Sequence, residues 1–91
     1  MKSREEIFQK VRRIIAEKAD LQEEGVTLKS HFRDDLKISS IVIISIVLAV
    51  ETEFNIEVAD EEIVVLATVE DAVRAISDKL SGTQGVAPGN P

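Results

Sequence analysis

The 91-residue chain has a hydrophobic fraction of 44% and a net charge of −6, which fits one small domain with its own core. The negative charge and the presence of only three aromatic residues, all phenylalanine, argue against a nucleic-acid-binding protein, because phosphate backbones attract basic surfaces and bases stack on aromatic rings. The absence of cysteine excludes disulfides and cysteine-ligated zinc, so any thiol chemistry would need a group attached to the chain.

The charges are unevenly distributed along the chain. Residues 1–37 contain nine Lys or Arg and eight Asp or Glu, whereas residues 38–91 contain two basic and nine acidic residues. The acidic half could attract a basic partner or simply form a solvated face, and charge alone leaves both interpretations open. The sequence begins without an apolar secretory segment, and the apolar run at residues 41–50 is too short to cross a bilayer. We therefore expect a cytoplasmic protein without stable membrane insertion.

A first amphipathic helix is predicted to begin after Ser3 and to end near Lys18. Ser3 is followed three residues later by Glu6, which is the spacing of a capping box. Apolar residues then recur with helical spacing, at Ile7, Val11, Ile14 and Ile15. Residues 19–38 lose this periodicity and Gly25 breaks them, so we expect a long loop. Its scattered apolar residues should anchor the loop to the core: Leu21, Val26, Leu28, Phe32 and Leu36.

The segment from residue 41 to residue 50 is ambiguous on local grounds. Its isoleucines and valines favour a strand by intrinsic propensity. Helical spacing, however, sorts the apolar residues into two usable stripes, so we predict a helix. The longer stripe should be core and consists of Ile43, Ile46, Val47, Val50 and Phe54. The second stripe, Ile41, Ile44 and Leu48, is then surplus apolar surface.

A serine pair, Ser39 and Ser40, precedes this apolar helix. A hydroxyl at a helix N-terminus lies where unpaired N–H groups and the helix dipole favour a phosphate. From the residues alone, the pair is most simply a helix cap. This placement nevertheless makes a phosphate-linked group at one of the two hydroxyls a hypothesis.

Two further helices are predicted after residue 59. Asp60, Glu61 and Glu62 form an acidic first turn of a short helix that should end near Leu66. Thr68 is a good N-cap for a last helix, whose core face is formed by Val69, Ala72, Val73, Ile76 and Leu80. Residues 81–91 hold three of the four glycines and both prolines, so we expect a disordered tail after a single domain at residues 1–80. The fold class is therefore predicted to be all-α, a four-helix bundle of three longer helices and one short helix with a long first loop.

The sequence resembles the acyl carrier proteins, without gaps, over about residues 26–76. The matching residues are Val26-Thr27, Ser30, Phe32, Asp34-Asp35-Leu36, Ser40, Glu51, Glu53-Phe54, Ile56-Glu57-Val58, Asp60-Glu61-Glu62 and Thr68-Val69-Glu70-Asp71-Ala72. The resemblance implies that Ser40 receives 4′-phosphopantetheine from coenzyme A through a Mg²⁺-dependent phosphopantetheinyl transferase. The thiol of that arm would hold acyl groups as thioesters. Ser39 is the alternative attachment site if the register is shifted by one residue.

The resemblance also implies a carrier and not an enzyme, since catalysis belongs to the acyl-transferring or acyl-modifying partner enzymes. The residues agree, because the only histidine, His31, lies in a distant part of the loop and offers no base to Ser40. No spacing of histidines and carboxylates suggests a metal site. We expect a monomer that carries an acyl chain between its helices, with a dimer through the apolar second helix as the alternative.

Several positions depart from the family pattern. The residue before the attachment serine is Ser39 instead of Asp, and positions of the second helix that are usually acidic in the family are occupied by Val42, Ser45 and Thr52. Partner contacts should therefore be mainly apolar. The predicted partner-binding residues are Asp34, Asp35, Ile41, Ile44, Ser45, Leu48 and Glu51.

These departures give the hypothesis of a specialised carrier of fatty-acid or lipid biosynthesis, with lipid A and other envelope lipids among the candidate products. A carrier for polyketide or aminoacyl intermediates is one alternative. An unmodified helical interaction or dimerisation module is another.

Overall fold

The computed structural model describes residues 3–81, and its helices account for most of them. The helices are α1 (Arg4–Ala19), α2 (Ser40–Phe54), α3 (Asp60–Val64) and α4 (Val69–Ser81), with a 3₁₀ turn at Glu23–Gly25. Within this part of the chain the only strand-like pairing is an isolated bridge between His31 and Thr68. The all-α prediction is confirmed, with three longer helices and one short helix. The 3₁₀ turn in the first loop was not predicted.

Helix α1 begins with the predicted capping box. The N–H of Glu6 donates to Ser3 Oγ at 3.2 Å, and the N–H of Ser3 donates to Glu6 Oε1 at 3.1 Å. Two of the N–H groups that a helix start leaves unpaired are therefore satisfied by side chains. The helix ends at Ala19, one residue beyond the predicted end.

The core lies where α1 packs against α2 and α4. The predicted core stripes of α1 and α4 face this core, where α1 buries Ile7, Val11 and Ile15 and α4 buries Val69, Val73 and Ile76. The other predicted members, Ile14, Ala72 and Leu80, are only partly buried against it. Residues 41–50 are helical despite their strand propensity. The reason is tertiary, because the helix buries Ile46, Val47, Val50 and Phe54 in this core while Ile43 is half-buried at its edge.

The first loop is anchored to the core and also completes α4. Val26 and Phe32 are buried as predicted, whereas Leu28 remains 38% exposed. The N–H of Val69 donates to the Ser30 carbonyl at 3.0 Å, and the N–H of Glu70 donates to the Leu28 carbonyl at 2.9 Å. The loop therefore supplies acceptors to N–H groups that the first turn of α4 cannot pair internally.

The N-terminus of α4 is also capped by its own side chains. The N–H of Asp71 donates to Thr68 Oγ1 at 3.2 Å, and Asp71 Oδ2 accepts from the N–H of Thr68 at 3.1 Å and of Ala67 at 3.0 Å. The predicted cap at Thr68 is confirmed. The hydrogen bond from the Thr68 backbone is the largest cause of a pKa of Asp71 below its ordinary value of 3.8, because it stabilises the charged carboxylate.

We expect Asp71→Ala to lower the free energy of unfolding by about 1 kcal/mol at neutral pH, since two N–H groups lose their acceptor. The folded state lowers the pKa of Asp71, so this contribution is complete above the unfolded pKa and is lost as the pH falls through the folded pKa. Urea unfolding of both proteins at a series of pH values should show the difference shrinking toward acid. A difference that stays constant at all pH values would contradict this assignment.

Helix α3 is shorter than predicted. It ends at Val64, and the N–H of Val65 then donates to the Ile63 carbonyl, which tightens the chain before Leu66. At the end of the domain, α4 includes Ser81, one residue past the predicted boundary. The rest of the predicted disordered tail, residues 82–91, lies outside the described residues. Among the helices between residues 3 and 81, none has the length and apolar character needed to span a membrane.

Candidate functional site

Ser39 is the N-cap of α2. Its backbone is extended, its Oγ accepts from the N–H of Val42 at 3.4 Å, and its carbonyl accepts from the N–H of Ile43 at 2.9 Å. The predicted cap is confirmed. The Ser39 hydroxyl therefore already has a structural partner in its own helix.

Ser40 is the first residue of α2 and is exposed. Two residues earlier, Ile38 is buried, and its N–H donates to the Phe32 carbonyl at 2.9 Å. This anchor holds the end of the loop against the core, so that the chain returns to the surface at Ser39 and Ser40. Within residues 3–81, no side chain or backbone group is hydrogen-bonded to the Ser40 hydroxyl. The structure therefore places, at the start of α2, a hydroxyl that has no hydrogen-bond partner among the described residues.

The surroundings of Ser40 fit a phosphoryl group. The first turn of α2 contains no acidic side chain. Among the described residues, the N–H groups of Ser40 and Ile41 also have no acceptor, as expected of a helix N-terminus. Unpaired donors together with the positive end of the helix dipole stabilise a negative charge. A phosphodiester on this hydroxyl would meet no opposing carboxylate in the first turn.

The two loop aspartates are bonded within their own turn. Asp35 accepts from the N–H of His31 at 2.7 Å, and the N–H of Asp34 donates to His31 Nδ1 at 3.3 Å. The carboxylate of Asp34 is largely exposed and lies 3.8 Å from the same ring nitrogen. Asp35 thus stabilises the turn, whereas Asp34 presents its charge to solvent. These contacts do not connect either aspartate to α2.

The second apolar stripe of α2 lies on the surface. Ile41, Ile44 and Leu48 are 79%, 50% and 58% exposed, and Ser45 beside them is exposed as well. The predicted surplus apolar surface is therefore present. Glu51 continues the face, but one of its oxygens accepts from the N–H of Val58 at 2.8 Å and so stabilises the loop after α2.

Helix α3 extends this apolar surface, which was not predicted from the sequence. A groove of about 370 Å³ is lined by residues of both helices and their connection: Ile44, Val47, Leu48, Glu51, Val58, Asp60, Ile63 and Val64. Val64 is 79% exposed. The sequence does contain a signal for this surface, namely the run of apolar residues after Glu62. Such a run is unusual in a short surface helix unless the helix contacts another molecule. We call the exposed residues Ile41, Ile44, Leu48 and Val64, together with the half-buried Ile63, the α2–α3 patch.

An apolar cavity of about 50 Å³ lies behind this surface and is lined by residues of all four helices. Its first contribution from α2 is Ile43, one helical turn beyond Ser40, and Phe32 contributes from the loop. The remaining wall is mostly branched and small side chains: Val11, Ile15, Ile46, Val47, Val50, Ile56, Val58, Leu66, Ala72, Ala75 and Ile76, with Glu62 and Lys79. Side chains of this kind can yield to an aliphatic chain at lower cost than a wall of large rings.

Comparison with known proteins agrees with this geometry. The family model described as the phosphopantetheine attachment site matches residues 9–76. The chain is 38% identical to an acyl carrier protein of Petrotoga mobilis over 79 residues, covering 87% of this chain and 93% of the relative. It is 37% identical to an acyl carrier protein of Cyanidium caldarium over 81 residues, covering 89% and 94% of the two chains.

The chain belongs to the acyl carrier protein family. Members of this family are carriers rather than catalysts, and membership implies a covalently attached 4′-phosphopantetheine. The start of α2 fits that group in two respects: it offers a free hydroxyl at Ser40 and unpaired N–H donors beside it. When bound, the arm supplies the thiol that this cysteine-free acyl carrier protein lacks.

Proposed function

We propose that Ser40 carries the 4′-phosphopantetheine arm as a phosphodiester and that the arm delivers acyl thioesters to partner enzymes. The observation that supports this most directly is the exposed Ser40 hydroxyl, which is unbonded within the described residues, at the first position of α2. Ser39 is the less suitable site because its oxygen caps the helix. The chain itself orients the arm and leaves the chemistry of the thioester to other proteins.

The acyl chain is proposed to lodge in the cavity behind α2. The cavity begins one turn from Ser40, and its wall is almost entirely apolar. An aliphatic chain that enters it leaves water, which stabilises the loaded protein by up to about 0.8 kcal/mol for each buried methylene. This favours aliphatic cargo over the polar intermediates of aminoacyl or peptidyl carriers. Fatty-acid or lipid biosynthesis in the cytoplasm is therefore the proposed setting, with lipid A and other envelope lipids as candidate products.

The test is to incubate the purified apo-protein with coenzyme A, Mg²⁺ and a phosphopantetheinyl transferase, and then to measure its mass. We expect a gain equal to one phosphopantetheinyl group, found by peptide mapping on the peptide that contains Ser40. Several transferases should be tried, because Ser39 offers no carboxylate at the position before the attachment serine. No gain with any of them would contradict the proposal.

The partner enzymes are proposed to dock on the α2–α3 patch chiefly through apolar contacts. The α2 side of this surface has few acidic side chains, because Val42, Ser45 and Thr52 are uncharged and Glu53 pairs with Lys10 on α1 at 2.9 Å. The acidic residues beside the patch are Glu51 and the first turn of α3, Asp60 to Glu62. This pattern supports a specialised carrier with its own partner enzymes. Such a carrier should bind standard fatty-acid synthesis enzymes more weakly than a general-purpose acyl carrier protein does.

We expect Ser45→Glu to strengthen binding to a standard, basic-surfaced synthesis enzyme several-fold at low salt, because it adds an anionic contact on the docking face. Gln22→Glu adds the same charge on the first loop and serves as the matched control. Surface plasmon resonance at two salt concentrations would compare the three proteins. Equal gains from both substitutions would indicate net charge alone and would contradict docking at this face.

An unmodified dimerisation module is the second candidate function, and the exposed α2–α3 patch is the observation that favours it. Sedimentation equilibrium over a wide concentration range distinguishes the two. The carrier proposal expects a monomer, and Leu48→Lys should then leave the measured mass unchanged. A dimer that Leu48→Lys dissociates, in a protein that no transferase modifies, would establish the module instead.

A further inference from the structure

One ion pair stands out on the wall of the apolar cavity. Lys79 of α4 contacts Glu62 of α3, with Nζ at 3.0 Å from Oε1 and 3.1 Å from Oε2. These two residues are the only charged ones among the described residues that line the cavity. The Lys79 side chain is 22% exposed, about half the exposure of Lys10 in the pair with Glu53. The pair is therefore partly shielded and links two helices that enclose the cavity.

The same pair borders a second, larger space. An open groove of about 600 Å³ lies between α3 and α4, and its residues include Val65, Asp71 and Asp78. Four residues line both the groove and the inner cavity, namely Glu62, Leu66, Ala75 and Lys79. Leu66 and Ala75 are apolar, and Ala75 is small. The wall between cavity and groove thus consists of two apolar side chains and the ion pair.

The pair resists opening for an electrostatic reason. Glu62 Oε1 is buried and receives no hydrogen bond among the described residues, so only the ammonium charge of Lys79 at 3.0 Å compensates it. The Glu62 side chain as a whole is 41% exposed, so water screens part of its charge. Parting the two residues would still leave the buried oxygen without the ammonium group beside it, which has a cost. An aliphatic chain that reaches the pair gains no hydrophobic stabilisation from contact with it. The chain must then stop, or fold back inside the cavity.

We propose that the Glu62–Lys79 ion pair closes the acyl cavity toward the α3–α4 groove and thereby limits the length of acyl chain that the protein shelters. This inference rests on the proposed function, since it presupposes an acyl chain inside the cavity. It adds to that function a wall, made by two residues, that determines the length of the acyl chain. It also implies that the groove between α3 and α4 becomes an extension of the cavity when the pair is removed.

The test uses the holo-protein loaded with saturated acyl groups of increasing even length, from butanoyl to hexadecanoyl, each verified by mass. In the unaltered protein, Tm should rise with each buried methylene by about 3 °C and then reach a plateau. In Glu62→Ala/Lys79→Ala the wall is open, and Tm should continue to rise for longer chains before the plateau. Removing both partners avoids leaving one charge alone.

The matched control is Lys10→Ala/Glu53→Ala, which deletes an ion pair of similar length that joins α1 to α2 and lies off the cavity wall. It should lower Tm without moving the plateau. The Tm of each unloaded protein shows that the variant folds. The rate of thioester cleavage by hydroxylamine measures independently how well the protein protects the acyl group. A plateau at the same length in all three proteins would overturn the inference while leaving the carrier function intact. Failure to attach any arm to Ser40 would overturn both.

Discussion

Replacing Ser40 with alanine should abolish the mass gain from coenzyme A, whereas replacing Ser39 with alanine should leave the gain intact. This is the largest effect that we expect of any single substitution, because the modification needs one oxygen to form the phosphodiester. The two serines are adjacent, but their hydroxyls differ in hydrogen bonding. Ser39 Oγ accepts from the N–H of Val42, while the Ser40 hydroxyl has no partner among the described residues.

Ser39→Ala should instead lower stability. The loss of an N-cap hydroxyl costs about 1 kcal/mol, which corresponds to a Tm lower by about 4–8 °C for a domain of this size. Intact-mass spectrometry after the transferase reaction and a thermal melt of each variant measure both effects. Loss of modification in Ser39→Ala with full modification of Ser40→Ala would reverse the assignment and shift the attachment site by one residue.

Phe32→Ala should destabilise the protein more than any other loop substitution, by about 3–5 kcal/mol, which is a large part of the stability of a small domain. The ring is 3% exposed and belongs to the main core cluster. Its backbone also links the segment before α4 to the segment before α2. The N–H of Phe32 donates to the Ala67 carbonyl, and the Phe32 carbonyl accepts from the N–H of Ile38, both at 2.9 Å. Loss of the ring therefore weakens the segment that places Ser40.

Leu28→Ala is the control, since Leu28 lies in the same loop but is 38% exposed and should cost less than about 1 kcal/mol. Urea unfolding measures both variants. Equal losses for the two residues would show that the loop is not anchored through Phe32. The Phe32 variant should also shelter acyl chains less well, because the ring lines the cavity.

Local sequence patterns predicted the parts of the fold in which residues close together along the chain form hydrogen bonds with each other. The capping box of Ser3 and Glu6 and the cap at Thr68 were readable, because both partners lie within three residues along the chain. The exposed stripe of Ile41, Ile44 and Leu48 followed from helical spacing once Phe54 assigned the longer stripe to the core. These predictions rest on periods and spacings that hold in any helix.

Contacts between distant segments were not readable in this way. Burial of Ile38, the Glu51 bond to the N–H of Val58, and the exposure of Val64 depend on how the loops return to the helices. The Glu62–Lys79 pair joins residues 17 positions apart on two helices. Many other pairings of acidic and basic residues were equally compatible with the sequence. Tertiary packing decides among them because it alone determines which side chains lose water together.

The amino-acid sequence by itself determined the helical class, the helix starts and the serine that the family resemblance selects, since each depends on side chains close together along the chain. Only the tertiary structure decided which apolar residues remain exposed, where the cavity lies and which charges lie on its wall. The physical reason is that burial and desolvation are properties of the packed assembly of helices, and no single segment contains them.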